Sequence, residues 1–250
     1  MKNKIINTHP AVIAVWAALT ASGHLLPTIP IFGTAGNFSL SHALNPLSGI
    51  FFGPIAGALC SAAGGFAGTL IAAHTAWMGP FTFIIGAVTA FTSGCIAWGK
   101  GPPVSINKNG SFIFNGGIIV YIIGTILWFT QEIGRSIFVF PLVFYGLGFI
   151  FLIVGTIFAA KMLNAKNRLL KFPAVWMCAF GGLVAGASIG NFFSLVLYKQ
   201  PRELWAALTA VSPIERAIFS LGAAIIGVPI LEGMKKIGIL CGPQEEINEN

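Results

Sequence analysis

The sequence predicts an all-α fold, a polytopic helical membrane bundle, and three observations carry that prediction. Charge is scarce: the 250 residues include 14 Lys and Arg, 7 acidic residues and no Asp. Charge is also absent from one long block, since no Lys, Arg, Asp or Glu occurs between Lys4 and Lys100. A water-soluble helix needs a polar face, whereas a charge at mid-bilayer costs roughly 2.5 kcal/mol or more. Finally, the apolar runs reach about 20 residues, the length that crosses a hydrocarbon core as a helix. Helices rather than single strands are expected, because a lone strand leaves its backbone unsatisfied in lipid.

The apolar segments fall at about 10–32, 45–72, 78–98, 112–130, 137–161, 172–198 and 213–238. The Met1-Lys-Asn-Lys start and the apolar run behind it have the outline of a signal peptide, but read as the first membrane span. Residues 99–111 form the clearest polar break, and residues 161–171 the most basic loop. Residues 199–212 read as an outer-surface loop with a short amphipathic turn. The last span is then expected to start with Ser212 as N-cap, Pro213 at the first helical position and Glu215 beyond it. Six complete spans plus a seventh or partial span within 112–161 put both termini inside, on the side of the basic loop. The expected organisation is one membrane domain over 1–241 and a short acidic tail over 242–250.

Several function classes are excluded or disfavoured. The net charge of +7 comes from basic residues scattered through short loops and termini, without a basic stripe interleaved with aromatics, so nucleic acid is not a partner. Cys60, Cys95, Cys178 and Cys241 lack metal or redox spacing and read as packing residues, so neither metal nor cofactor is expected. No phosphate-binding loop is present, so the chain does not itself hydrolyse ATP. The GASIG at 186–190 is not followed by the His that an intramembrane serine protease needs. An enzyme is therefore not expected.

Small residues recur at four-residue spacing in two places: Gly49, Gly53, Gly57, Ser61 and Gly65, then Gly182, Gly186, Gly190 and Ser194. On a helix each set forms a stripe that admits a second backbone closely, either within the bundle or against another subunit. Pro27 and Pro30 end the first span near one membrane face. The loop from Gly33 to Asn45 then carries Asn37, His42 and Asn45, either as a plain connection or as a cover over a pocket. Glu215 has a capping role available to it. Arg216 does not, because a cation is unfavourable at a helix N-terminus, so it calls for an anionic partner. Asn191 interrupts an apolar run and needs hydrogen-bond partners. Tyr198 precedes the 199–212 region and Trp205 lies within it, where Trp205 is the best-placed ring to stack on a flat ligand. Trp77, Trp98, Trp128 and Trp176 read as belt residues at the membrane interface. Glu132 with Arg135, and Glu232 with Lys236, read as surface ion pairs.

Three stretches together resemble the substrate-binding S-component of energy-coupling-factor (ECF) vitamin transporters, as a divergent member. They are AVWAALTASG with Ala14 and Ala18, the Gly-Pro pattern GIFFGPIAGALCSAAGG, and the closing SPIERAIFSLGAAIIGVPILEGMKK. The resemblance implies a small helical bundle, a pocket near the outer face and a lid made by the loop after the first span. It implies a complex with a transmembrane coupling subunit and two ATPase subunits, and it assigns Ala14 and Ala18 to the contact with the coupling subunit. Nickel and cobalt members begin Met-His, whereas this chain begins Met-Lys-Asn, which points to an organic ligand. The leading expectation is a micronutrient-binding subunit in a prokaryotic plasma membrane. Its site residues would be Asn37, His42, Asn45, Asn191, Tyr198, Trp205, Glu215 and Arg216. Two alternatives stay open: a stand-alone secondary carrier or channel, and a non-transporting membrane enzyme or assembly factor.

Overall fold

The computed structural model describes residues 9–31, 37–99 and 115–243. The polar break from 100 onward, residues 33–36 of the loop after the first span, and the tail from 244 lie outside the described residues. The chain forms α1 (Pro10–Gly23), a hairpin of β1 (Pro27–Pro30) and β2 (Asn37–Ser39), then α2 (Ser41–Phe52) and α3 (Pro54–Ile71). Two short 3-10 turns lead to α4 (Phe83–Trp98). Then come α5 (Gly116–Thr130), the single-turn α6 (Glu132–Ser136), α7 (Val139–Asn164), α8 (Arg168–Tyr198) and α9 (Arg202–Lys236). The longest of these helices, α7, α8 and α9, have 26, 31 and 35 residues.

The segment 45–72 is not one helix. Gly53 adopts φ 87°, a conformation that favours glycine, and the chain turns back there into α3, which Pro54 starts. Ser48 Oγ donates to the Gly57 carbonyl at 3.1 Å, and Ser61 Oγ donates to Asn45 Oδ1 at 2.7 Å, bonds that only an antiparallel pair allows. Gly49 and Gly57 therefore face each other across the pair instead of sharing a stripe, and a Cβ on Gly57 would collide with the backbone of Gly49. Periodicity in the sequence is blind to such a reversal, because small residues every four positions look the same in one helix or two.

The second stripe is internal. A Cβ on Gly182 would run into Ser93 Oγ, and one on Gly186 into Thr89 Oγ1, so α8 lies backbone-close against α4. Asn115 caps α5 by accepting from the Gly117 amide at 2.8 Å. The same side chain donates to the Cys95 carbonyl at 3.1 Å and to Thr156 Oγ1 at 2.7 Å, tying α4, α5 and α7 together.

The region 199–212 is also corrected, since α9 begins at Arg202 with Pro201 as its N-cap. At 35 residues it is about 52 Å long, against about 30 Å of hydrocarbon. Ser212 and Pro213 are interior to it rather than its start. Trp205, Ser212, Glu215, Arg216 and Phe219 are all buried, so one helical face continues straight through the proline.

Trp128 is a core residue, not a belt residue. It is 0% exposed, stacks on Phe140 at 4.8 Å and donates to the Gly134 carbonyl at 2.9 Å. Glu232 pairs across helices with Lys171 at 3.2 Å and Arg168 at 3.5 Å on α8, rather than along α9 with Lys236. Glu132 and Arg135 are both exposed. The four cysteines are buried and form no disulfide among the described residues. Burial pushes the Cys241 thiol up, against the opposing charge of Lys235.

Among the described residues, four helices are long and apolar enough to cross a membrane by themselves: α3, α7, α8 and α9. Shorter apolar helices are α1, α4 and α5. The bundle presents an almost wholly apolar outside, with Val15, Leu70, Ile126, Leu142, Ile157 and Ile225 all exposed. The protein is a multi-pass membrane protein of all-α fold.

Candidate functional site

The site lies at the end of the bundle that carries the β-hairpin. That hairpin is held by a buried polar chain. His24, just past α1, donates from Nδ1 to the Thr20 carbonyl at 2.9 Å. Its Nε2 hydrogen-bonds with Ser41 Oγ at 3.2 Å, and Ser41 Oγ in turn with Ser39 Oγ at 2.6 Å. The imidazole thus links α1, β2 and the start of α2, fixing where the hairpin lies.

Beneath the hairpin is a narrow cavity of about 60 Å³. Ile31 and Phe38 close it from the hairpin side, and His42 reaches it from α2. The α4 wall supplies Ile85 and Thr89, and the α8 wall supplies Leu183, Asn191 and Ser194. From α9 come Trp205, Leu208, Ser212, Glu215 and Arg216. His42 packs edge-on to Phe38 at 4.7 Å and tilts against Phe219 at 5.5 Å.

Two adjacent charges define the polar side. Arg216 is 9% exposed, and its guanidinium carbon lies 4.7 Å from the centre of the Phe38 ring. A desolvated cation over an aromatic face is favourable by about 2 kcal/mol. It does not satisfy the N–H groups at the rim of the fork, and among the described residues Nη1 of Arg216 has no hydrogen-bond partner. Glu215 is 7% exposed, and its Oε1 likewise has no hydrogen-bond partner among the described residues. Trp205, 2% exposed, sits edge-on to Trp128 at 4.8 Å and to Phe140 at 5.1 Å, and its indole N–H is also without a hydrogen-bond partner among the described residues. Burial of such groups without partners is costly, so they mark polar capacity aimed at something other than the protein.

Of the residues expected at the site, His42, Asn191, Trp205, Glu215 and Arg216 line this one cavity. The Glu215 capping role falls away, because Glu215 lies well inside α9. Asn191 donates to the Tyr145 hydroxyl at 3.3 Å, which anchors α8 to α7 and sets the amide at the cavity wall. Asn37 pairs with Pro30 in the hairpin, outside the lining. Asn45 is turned into the α2–α3 contact by Ser61. Tyr198 is exposed and braces the site from outside, its hydroxyl donating to the Trp77 carbonyl. Trp77, read from sequence as a belt residue, lines the cavity. Phe38, Thr89 and Ser194 were not anticipated. Phe38 carried no signal beyond lying in the loop, while Ser194 was visible only as the last member of a small-residue stripe.

Ala14 and Ala18 sit on the opposite side of α1 from its contact with α3, and both are exposed beside Val15 and Leu19. On the inner side, the Ala17 carbonyl and Thr20 abut Gly64, where a Cβ would collide.

A family model described as the ECF-type riboflavin transporter, S component, matches residues 5–165. No curated protein and no solved structure matches the chain. The matched stretch takes in α1 to α7, while α8 and α9, which build the charged wall of the cavity, lie beyond it.

Proposed function

The chain belongs to the ECF-type riboflavin transporter S-component family, a transporter family and not an enzymatic one, and we propose that it is the substrate-binding membrane subunit of an uptake transporter for a small vitamin-like molecule. The observation that carries this reading is the cavity under the hairpin, walled by aromatic and aliphatic side chains and lined by residues with buried polar atoms that lack hydrogen-bond partners among the described residues. Ligand sites are mostly apolar, with a few placed polar groups of this kind. At about 60 Å³ the cavity is narrower than the roughly 300 Å³ or more that a small-molecule site offers. Loading therefore requires the hairpin and Phe38 to move outward, which makes the segment after α1 the lid. Arg216 and Glu215 contact the ligand, with His42, Asn191 and Trp205 orienting it. Asn37, Asn45 and Tyr198 act indirectly, through the lid, the α2–α3 turn and Trp77.

The remaining assignments follow from the same reading. Residues 1–241 act as one membrane domain, with the acidic tail outside it. Among the described residues, the end opposite the hairpin holds Lys161, Lys166, Arg168, Lys171, Lys235 and Lys236, and the hairpin end holds Arg135, Lys199, Arg202 and Arg216. That bias turns the cavity outward, in a prokaryotic plasma membrane with both termini inside. Six complete spans, with the extra helices packed around them, remain the proposed membrane count. Ala14 and Ala18 form the docking face for a transmembrane coupling subunit, which brings two ATPase subunits. Purification of the tagged chain from its native membrane is expected to recover those partners. Substituting Ala14 and Ala18 together by Phe should remove them without lowering the yield of folded protein. Recovery of the chain alone, able to transport in liposomes without ATP, would refute this reading.

A further inference from the structure

Resting on the ligand-binding reading above, we propose that the ligand is a net-neutral dipolar molecule, presenting an acidic group to Arg216 and a protonated amine to Glu215. Both residues line the same cavity, each is more than nine-tenths buried, and each carries a buried side-chain atom without a hydrogen-bond partner among the described residues. Arg216 is held in place by the Phe38 ring, which engages its face and leaves Nη1 to act as a donor. Carboxylates and phosphates match a guanidinium fork. Glu215 offers only acceptors when ionised, so its counterpart must be a donor.

The charge balance is what selects the class. Side by side on α9, the two residues contribute one positive and one negative charge. A ligand carrying only an anion would satisfy Arg216 and place a second negative charge beside Glu215. A cation would do the converse at Arg216. An uncharged ligand would leave the two desolvated charges to answer only one another. In a site of low effective dielectric each mismatch is costly, and only a ligand with both signs relieves both residues. The remaining walls, Trp77, Ile85, Leu183 and Trp205, suit a flat apolar body between the two groups.

The test is affinity capture on the purified protein in lipid nanodiscs. The probe is a defined mixture of water-soluble vitamins and the protein amino acids, riboflavin included, with bound compounds identified by mass spectrometry. The expected result is retention of a compound bearing both an acid and an amine, reduced about tenfold or more in each of E215Q and R216Q. The R216K variant, which keeps the charge but not the fork, should retain an intermediate amount. Melting temperatures of the unloaded variants separate loss of binding from loss of fold. Capture of riboflavin or another uncharged compound, equally by wild type and variants, would overturn the dipolar assignment while leaving the binding reading intact. So would capture of an anion that R216Q loses and E215Q keeps. Capture of nothing by the wild type would overturn both.

Discussion

Two charged clusters lie on the same helix about 25 Å apart along its axis, and they are built in opposite ways. At one end of α9, Glu232 meets Lys171 and Arg168 of α8, so the charges are answered within the protein. Near the middle of the helix, Glu215 and Arg216 are both buried and yet keep atoms with no hydrogen-bond partner among the described residues. The difference teaches where function sits. A charge cluster that satisfies itself holds two helices in register; one that does not is poised for something that arrives.

The largest expected effect tests the self-satisfied cluster. E232A leaves the buried Lys171 ammonium with no carboxylate, a loss of about 3 kcal/mol, because an uncompensated buried charge is costly. Thermal unfolding in detergent should show a clear drop in midpoint. Replacing both members, as K171M with E232L, is expected to recover stability to within about 1 kcal/mol of wild type, since apolar packing can substitute for a pair. Failure of the double variant to recover would mean that the cluster does more than neutralise Lys171.

A smaller effect is expected at the cavity. E215Q combined with R216Q, measured without ligand, should leave the unfolding midpoint unchanged or raised by the equivalent of about 1 kcal/mol, because the charges removed have incomplete partnering to lose. A drop as large as that of E232A would show the two clusters to be alike, and the contrast would fail. The smallest effect belongs to the exposed Glu132, where E132Q should move stability by less than about 0.5 kcal/mol.

Much of the fold class was legible because lipid imposes a simple rule on composition. The uncharged block from residue 5 to 99 could not cover a water-soluble surface, whatever its detailed path. Arg216 stood out in the sequence as a cation in need of an anionic partner, on the premise of a helix start at Ser212 that in fact lies inside α9. What misled was chain direction. Gly53 and Gly57 gave the spacing of one helix, and only the positive φ at Gly53 reveals a reversal. Pro213 gave the signal of a helix start, yet the buried face from Trp205 to Phe219 carries α9 through it. In both cases a local rule was outweighed by packing that involves residues far away in sequence.

The sequence by itself determined that this protein lives in a membrane as helices, and that its few interior polar residues are where chemistry must be sought. The reason is energetic and local: each charge or amide in an apolar run has a cost that does not depend on which helix lies beside it. Only the tertiary structure decided which of those residues meet. It turned Asn45 toward Ser61 and away from the cavity, gave Glu232 to Lys171, and brought His42, Asn191, Trp205, Glu215 and Arg216 to one wall-lined space. Contact between helices depends on the rotation and direction of each one, and neither is encoded in the spacing of residues along a single segment.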